Sequence, residues 1–134
     1  MKIITLLEPW AWWISVGWKT IETRTHERFK NLLGKHIGIH GGRKWDYQAI
    51  EKARYYLTDS QIKATQSLSV NHKGGLLRCS AFVSYHGRLS ENDSQAALID
   101  CSNGDLFGLY LSDIRLFLNP PRLKGNQGIW THEI

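Results

Sequence analysis

The sequence predicts a mainly β α+β domain: five or six strands with two or three peripheral helices, spanning residues 1–134 as one unit. Three observations predict it. Apolar residues alternate with a period of two in short runs along the chain. Turn signals such as Gly41-Gly42, Gly74-Gly75 and Asn119-Pro120-Pro121 separate those runs. Helical spacing is confined to a few stretches inserted between them. Strands whose partners lie far apart in sequence, with helices packed outside, fit a small closed β-barrel. An open α+β sheet is the other arrangement this pattern allows. The chain has 134 residues, enough to bury a core without covalent staples.

In order, "IITLL" (3–7) reads as a buried strand. Pro9 suits the first turn of a helix over 9–16, because its missing N–H would have no helical partner there, and Gly17 suits its end. On this helix Trp10, Trp13 and Ile14 share a face expected to be core, and Trp12 is the indole expected to be partly exposed. "KTIETRT" (19–25) alternates as a strand, with Glu22 and Arg24 on one face. Strict alternation puts Lys19 on the other, so the three share a pocket only if the chain bends or bulges near Lys19–Thr20. A charged connection (26–35) leads to a strand over 36–42, ended by paired glycines. Residues 43–57 have helical spacing, and 58–68 form a second helix capped at Thr58 or Asp59. "GGLLRCSAFVSYHGRL" (74–89) is the longest strand, with Leu77, Cys79, Ala81 and Val83 on one face. A short helix or loop (90–100) follows, then one strand over 105–118, or two with a bend near Ser112–Asp113. A glycine-punctuated loop and a strand over 128–131 close the sequence.

Net charge is +5, and residues 1–57 hold ten Lys/Arg against five Asp/Glu together with five of the six tryptophans. Basic charge interleaved with aromatics suits a polyanion with exposed bases. The two cysteines, Cys79 and Cys101, carry no C-x-x-C or Cys/His cluster, so neither a zinc site nor another metal is expected. No cofactor motif is present. "MKIITLLEPW" is interrupted by Glu8 and Pro9, and no apolar run has the length of a membrane span. A cytoplasmic location without membrane contact is the expectation.

Four ordered pieces carry a family resemblance. They are Pro9-Trp10-Ala11 before a short helix, then Gly17, Lys19, Glu22 and Arg24, then a strand ending in His40-Gly41, and finally Lys124-Gly125 with Trp130. In this the chain resembles the ASCH domain, a relative of the PUA domain. The resemblance covers nearly the whole chain. It implies a PUA-like β-barrel, a cleft rimmed by the Lys–Glu–Arg strand, and a role in RNA or nucleotide binding. The sequence departs from the pattern at Glu8, where many members carry Gln. A carboxylate accepts hydrogen bonds and donates none, which changes the ligand preference if position 8 reads a base edge.

The candidate residues are Trp10, Trp12, Trp18, Lys19, Glu22, Arg24, His40, Lys124, Asn126 and Trp130. Lys19 can be a phosphate anchor, a desolvated base or nucleophile, or a solvated surface lysine. Glu22 and Arg24 can form a structural ion pair. Alternatively, Arg24 fixes Glu22 as a proton acceptor in an aromatic cleft. Trp12 or Trp18 is the expected stacking wall. His40 either lines the cleft or is structural, and Trp130 suits barrel closure better than stacking. "KGNQG" (124–128) offers backbone N–H groups and the Asn126 amide, or is a plain turn. Arg43, Lys44, Lys52 and Arg54 form a solvated face or track a phosphate backbone.

Binding of RNA or a nucleotide is the leading expectation. A hydrolase acting through Lys19 and Glu22 on RNA or a modified nucleoside is the alternative, and a protein-interaction adaptor is a third reading. One ASCH-like branch removes the acetyl group of acetylated cytidine. The lysine of its GxKT stretch matches Lys19, but the threonine three positions on falls at Glu22, which argues against that branch.

Overall fold

The computed structural model describes residues 1–133. Its centre is a six-stranded mixed sheet formed by β1 (Lys2–Glu8), β2 (Ile21–Arg24), β3 (His36–Trp45), β4 (Leu76–Arg88), β5 (Phe107–Leu116) and β6 (Ile129–Thr131). The spatial order is β2-β5-β4-β3-β1-β6. Only β1 and β3 run parallel; the other neighbours are antiparallel. The mainly β α+β class stands, but the sheet does not close: β2 and β6 are edges with no ladder between them. Two short strands, of four and three residues, leave a seam that the closed barrel lacks.

Four α-helices accompany the sheet: α1 (Trp10–Ser15), α2 (Ala49–Ala53), α3 (Asp59–Val70) and α4 (Ser94–Ala97). The Thr58 hydroxyl accepts from Gln61 N–H while the Gln61 side chain accepts from Thr58 N–H, the reciprocal box that starts a helix. Gly17, at φ +83°, turns the chain out of α1 in a conformation costly for other residues. The helix expected over 43–57 starts later. The chain runs on past Gly41-Gly42 as β3, because an irregularity in the β1 pairing brings Trp45 opposite Glu8. α2 then takes only residues 49–53, followed by a 3₁₀ turn over Arg54–Tyr56. β5 is a single strand; the expected bend is a local irregularity, with Asp113 at φ +49°.

The period-two pattern of the strands builds the main core. Ile4, Leu6, Ile37, Ile39, Cys79, Ala81, Val83, Leu109 and Leu111 are buried with Ala11 and Ile14 of α1. The other side of α1 inserts Trp13 among Ala49, Ala53, Leu57, Ile62 and Leu98. The Trp13 indole N–H donates to the Thr65 hydroxyl at 3.0 Å. Full burial of such side chains stabilises by roughly 1.5–3 kcal/mol each, so α1 is pinned from both sides. That rigidity fixes where Trp10 and Lys19 point.

Candidate functional site

Lys19 belongs to neither α1 nor β2. The backbone N–H groups of Trp18 and Lys19 both donate to the Trp13 carbonyl, at 3.0 and 3.1 Å, and Thr20 N–H donates to Ala96. This turn is the bend that the alternation of 19–25 demands. It folds Lys19 back, so that Nζ lies 3.7 Å from Glu22 Oε1. Nζ also donates to the Ala97 carbonyl at 2.6 Å and sits 5.0 Å from the centre of the Trp10 ring. The side chain is only 1% exposed. Desolvation by burial lowers the Lys19 pKa to about 8, and the neighbouring Glu22 carboxylate opposes that shift.

Arg24 holds Glu22 from the other side. Its guanidinium donates to Glu22 Oε2 and to the Thr23 carbonyl at 2.8 Å, and lies 4.9 Å from the centre of the Phe29 ring. Glu22 is thus a buried carboxylate between two cations. It forms part of the wall of a cavity of about 340 Å³, together with Trp10, Arg24, Thr5, Asp46 and Lys52. The Trp10 indole N–H donates to Asp46 Oδ2 at 2.9 Å, which fixes the ring, and Lys52 Nζ is 4.0 Å from the same oxygen. A carboxylate has about four acceptor positions, so Glu22 keeps acceptor capacity toward the cavity. Lys19 does not line it. It stands behind Glu22 and Trp10 and orients both.

Trp10, rather than Trp12 or Trp18, borders this cavity. At about 100° per residue, Trp12 lies roughly 200° around α1 from Trp10, so the two cannot face one cavity. Trp12 and Trp18 pack edge to face, 5.0 Å apart, against the α2–α3 cluster.

His40, Lys124 and Asn126 meet at a different place, a cavity of about 400 Å³ shared with Arg43 and Lys44. Trp130 braces it. Its indole N–H donates to the Thr5 hydroxyl at 3.0 Å, and Thr5 Oγ1 lies 3.1 Å from His40 Nδ1. His40 Nε2 donates to the Leu123 carbonyl at 2.8 Å. In the neutral ring Nδ1 must then accept from Thr5. Between the two cavities lies a third, of about 580 Å³, with Arg24, His26, Arg28 and Gln127 in its wall.

Glu8 reads no ligand. It is fully buried, accepts from Arg78 Nε at 2.6 Å and from Trp12 N–H at 2.9 Å. A Cβ on Gly41 would overlap its carboxylate. The departure from Gln at this position therefore serves an internal tie between α1 and β4. Thr5, Asp46 and Arg28 escaped the sequence reading. Thr5 left a signal, as the polar member of the buried run "IITLL"; Asp46 and Arg28 left none. Among the described residues, no three His, Cys, Asp or Glu side chains cluster to hold a metal, and no helix is long and apolar enough to cross a membrane.

An open six-stranded mixed sheet with short helices packed on it and cavities beside its unclosed edge defines a small, mainly β α+β domain. No protein-family model and no curated protein sequence matches the chain. Solved structures do match. ASCH from Zymomonas mobilis superposes with a TM-score of 0.53 at 14% identity, covering 91% of this chain and 73% of that one. A tyrosine-to-phenylalanine mutant of that protein gives 0.51 at 13% identity, over 91% and 75%. A serine-to-alanine mutant gives 0.51 at 14%, over 91% and 73%. The chain has an ASCH-domain-like fold.

Proposed function

We propose that the chain binds RNA or a nucleotide, with a base inserted beside Trp10 and against Glu22. The observation that carries this reading is the pairing of an indole wall with a buried carboxylate in one cavity, ringed by Arg24 and Lys52. An indole face takes any base, and such stacking is worth about 1–3 kcal/mol. The acceptor-only carboxylate meets base N–H groups, and the rim cations meet phosphate. Lys19 is a positioning residue: sealed behind Glu22, it holds the carboxylate rather than the ligand. The ASCH-like fold is consistent with this reading, and the motif resemblance points the same way. The test is titration of fluorescent single-stranded RNA at several salt concentrations. Binding should weaken steeply with salt and fall about tenfold or more in Trp10→Ala. Binding that ignores both Trp10→Ala and Glu22→Gln overturns it.

One observation favours a second reading as a hydrolase. Lys19, with its pKa lowered to about 8, touches the carboxylate that faces the cavity. In that version Glu22, held in place by Lys19, accepts a proton from water as the water attacks the scissile phosphorus or carbonyl, Arg24 in the same wall meets the negative charge that develops, and the proton passes to the leaving group as its bond breaks. Mass spectrometry of RNA incubated with the protein separates the two. Product that disappears with Glu22→Gln supports hydrolysis; RNA recovered intact supports binding alone.

A further inference from the structure

Two further cavities meet on β4, on the Trp12 side of α1. One, of about 230 Å³, is bordered by Trp12 and Val16 of the α1 region and by Leu116 and Phe117 at the end of β5. The other, of about 140 Å³, has Lys73 and Arg122 in its wall. Leu76 and Arg78 belong to both walls. They alternate along β4 with Leu77 and Cys79, which are buried in the core, so the pleat turns them to the opposite face. Arg122 is held by an isolated bridge to Leu76 and by its donation to the Gly74 carbonyl. Arg78 gives its Nε–H to Glu8. A guanidinium has five N–H donors, so others are left for the cavities that Arg78 borders. The described residues of both walls include no acid. Glu8 offsets Arg78 from behind and spends its other oxygen on the Trp12 N–H, so Lys73 and Arg122 leave the pair of cavities positively charged.

We propose that these two cavities form a docking site for an acidic peptide segment of a partner protein. A leucine or phenylalanine side chain of that segment enters the apolar cavity, and the carboxylate of an adjacent glutamate or aspartate meets Arg78 and Arg122. Charge complementarity and size together carry the assignment. Cations without acids select a negative partner, and an arginine fork matches a carboxylate in two bonds. A pocket for a drug-sized molecule has about 300–1,000 Å³. Each of these cavities is smaller, the room for one side chain. The apolar surface also runs beyond them: Val16 and Leu116 are exposed at the first cavity, and Val70 is exposed beside Asn71 of the second. A small carboxylate leaves that surface wet, whereas a longer chain covers it. An apolar anchor next to a desolvated arginine is the usual centre of a protein contact. This site lies apart from the Trp10–Glu22 cavity, with which its walls share no residue.

The experiment titrates isotope-labelled full chain with blocked peptides, Ser-Phe-Glu-Ser and Ser-Glu-Phe-Ser, and follows backbone amides by NMR. Shifts should appear at Ser15, Gly74 and Leu76 and not at Thr5 or Gly125. Glutamine in place of the peptide's glutamate should weaken binding about tenfold, and serine in place of its phenylalanine by about tenfold or more. Lys73 and Leu116 are exposed, so Lys73→Glu and Leu116→Asp leave the core untouched, which circular dichroism verifies. Lys73→Glu should weaken the peptide about fivefold, Leu116→Asp should abolish its binding, and Lys124→Glu should change nothing. Both variants should bind single-stranded RNA like wild type, so this site and the nucleotide cavity stand or fall separately. No shift with either peptide, or shifts confined to Thr5 and Gly125, overturns the proposal. Octanoate that binds as tightly as the peptides makes this a site for small carboxylates and overturns the peptide assignment. An oligonucleotide that displaces the peptide overturns the separation of the two sites.

Discussion

Glu8 and Glu22 are both buried glutamates paired with an arginine, yet they belong to different kinds of region. Glu8 sits at the junction of β1, α1 and β4. Its two oxygens are taken by Arg78 and the Trp12 N–H, and Gly41 leaves just enough room for it. Glu22 sits where β2 borders empty space. Its partners, Lys19 and Arg24, hold it while leaving one side to a cavity. Composition and burial are nearly the same. What separates a carboxylate confined to a structural role from one able to meet a ligand is whether its acceptor capacity is used up inside the fold.

The largest expected effect tests the structural half of that contrast. Glu8→Ala leaves the Arg78 guanidinium, 15% exposed, without its partner and the third residue of α1 without its acceptor. Breaking a buried pair from one side costs about 3–5 kcal/mol. Glu22→Ala should lose less, about 2 kcal/mol, because Lys19 can shed its proton and escape as a neutral amine. Urea denaturation of the two variants reads the difference. Equal losses would mean that Glu22 is as structural as Glu8.

The next effect sharpens the comparison through pH. Burial lowers the Lys19 pKa to about 8 in the folded chain, against 10.5 for a free lysine side chain. Below pH 8 it is charged in both states, and the burial penalty is fully present. Between about 8 and 10.5 the unfolded chain binds more protons, so stability rises with pH. Above that window the amine is neutral in both states. The shift corresponds to about 3 kcal/mol. Cys79, pushed up to about 12 by burial, acts in the opposite direction, since its unfolded thiol ionises near 9. The quantity to measure is therefore the stability of wild type minus that of Lys19→Met, in which the thiol contribution cancels. A difference that stays flat from pH 8 to 10.5 would place Lys19 in contact with water.

The two regions also differ in how far they can be read from the residues alone. Strand periodicity located all six strands, and the buried face of 74–89 is the observed one, because alternation is imposed locally by the pleat. Closure was not legible. Whether β2 and β6 pair depends on the curvature of the whole sheet and on two very short edge strands. Lys19, Glu22 and Arg24 could be named together, since a helix stop and an alternating run lie within a few residues. Which tryptophan borders the cavity could not be chosen. The wheel puts Trp10 and Trp13 on one face, and only the packing of α2 and α3 decides that Trp13 is sealed while Trp10 borders a cavity. Asp46 comes to Trp10 because β3 outruns its glycines to pair with the end of β1, a long-range event with no local mark. The internal role of Glu8 was hidden for a similar reason: Arg78, seventy residues away, carries no signal of its pairing.

A smaller effect separates the indoles. Trp10→Ala should weaken single-stranded RNA binding by about 1–3 kcal/mol, while Trp12→Ala should leave affinity unchanged and lower stability instead. Trp10→Phe keeps a ring but loses the bond to Asp46. It should recover part of the affinity, with a faster dissociation rate because the wall is no longer fixed. RNA affinity that follows Trp12 rather than Trp10 would move the base pocket to the opposite side of α1.

The smallest effect lies at the rim, where Lys52 and Asp46 are 4.0 Å apart with Lys52 half exposed. An exposed pair of this kind contributes about 0.2–1 kcal/mol to stability, so Lys52→Ala should hardly change the denaturation midpoint. Its effect on binding depends on what Lys52 meets. Contact with a phosphate predicts a salt slope shallower by about 0.7, with a uniform loss of affinity across RNA sequences. If Lys52 serves only to hold Asp46, and Asp46 to hold Trp10, the slope stays as it is and the loss follows that of Trp10→Phe. Measuring the slope in Lys52→Ala and in Asp46→Asn distinguishes the two, because removing the carboxylate frees the lysine for phosphate while releasing the indole. A steeper slope in Asp46→Asn together with a shallower one in Lys52→Ala assigns the lysine to the ligand. Unchanged slopes in both assign it to the wall.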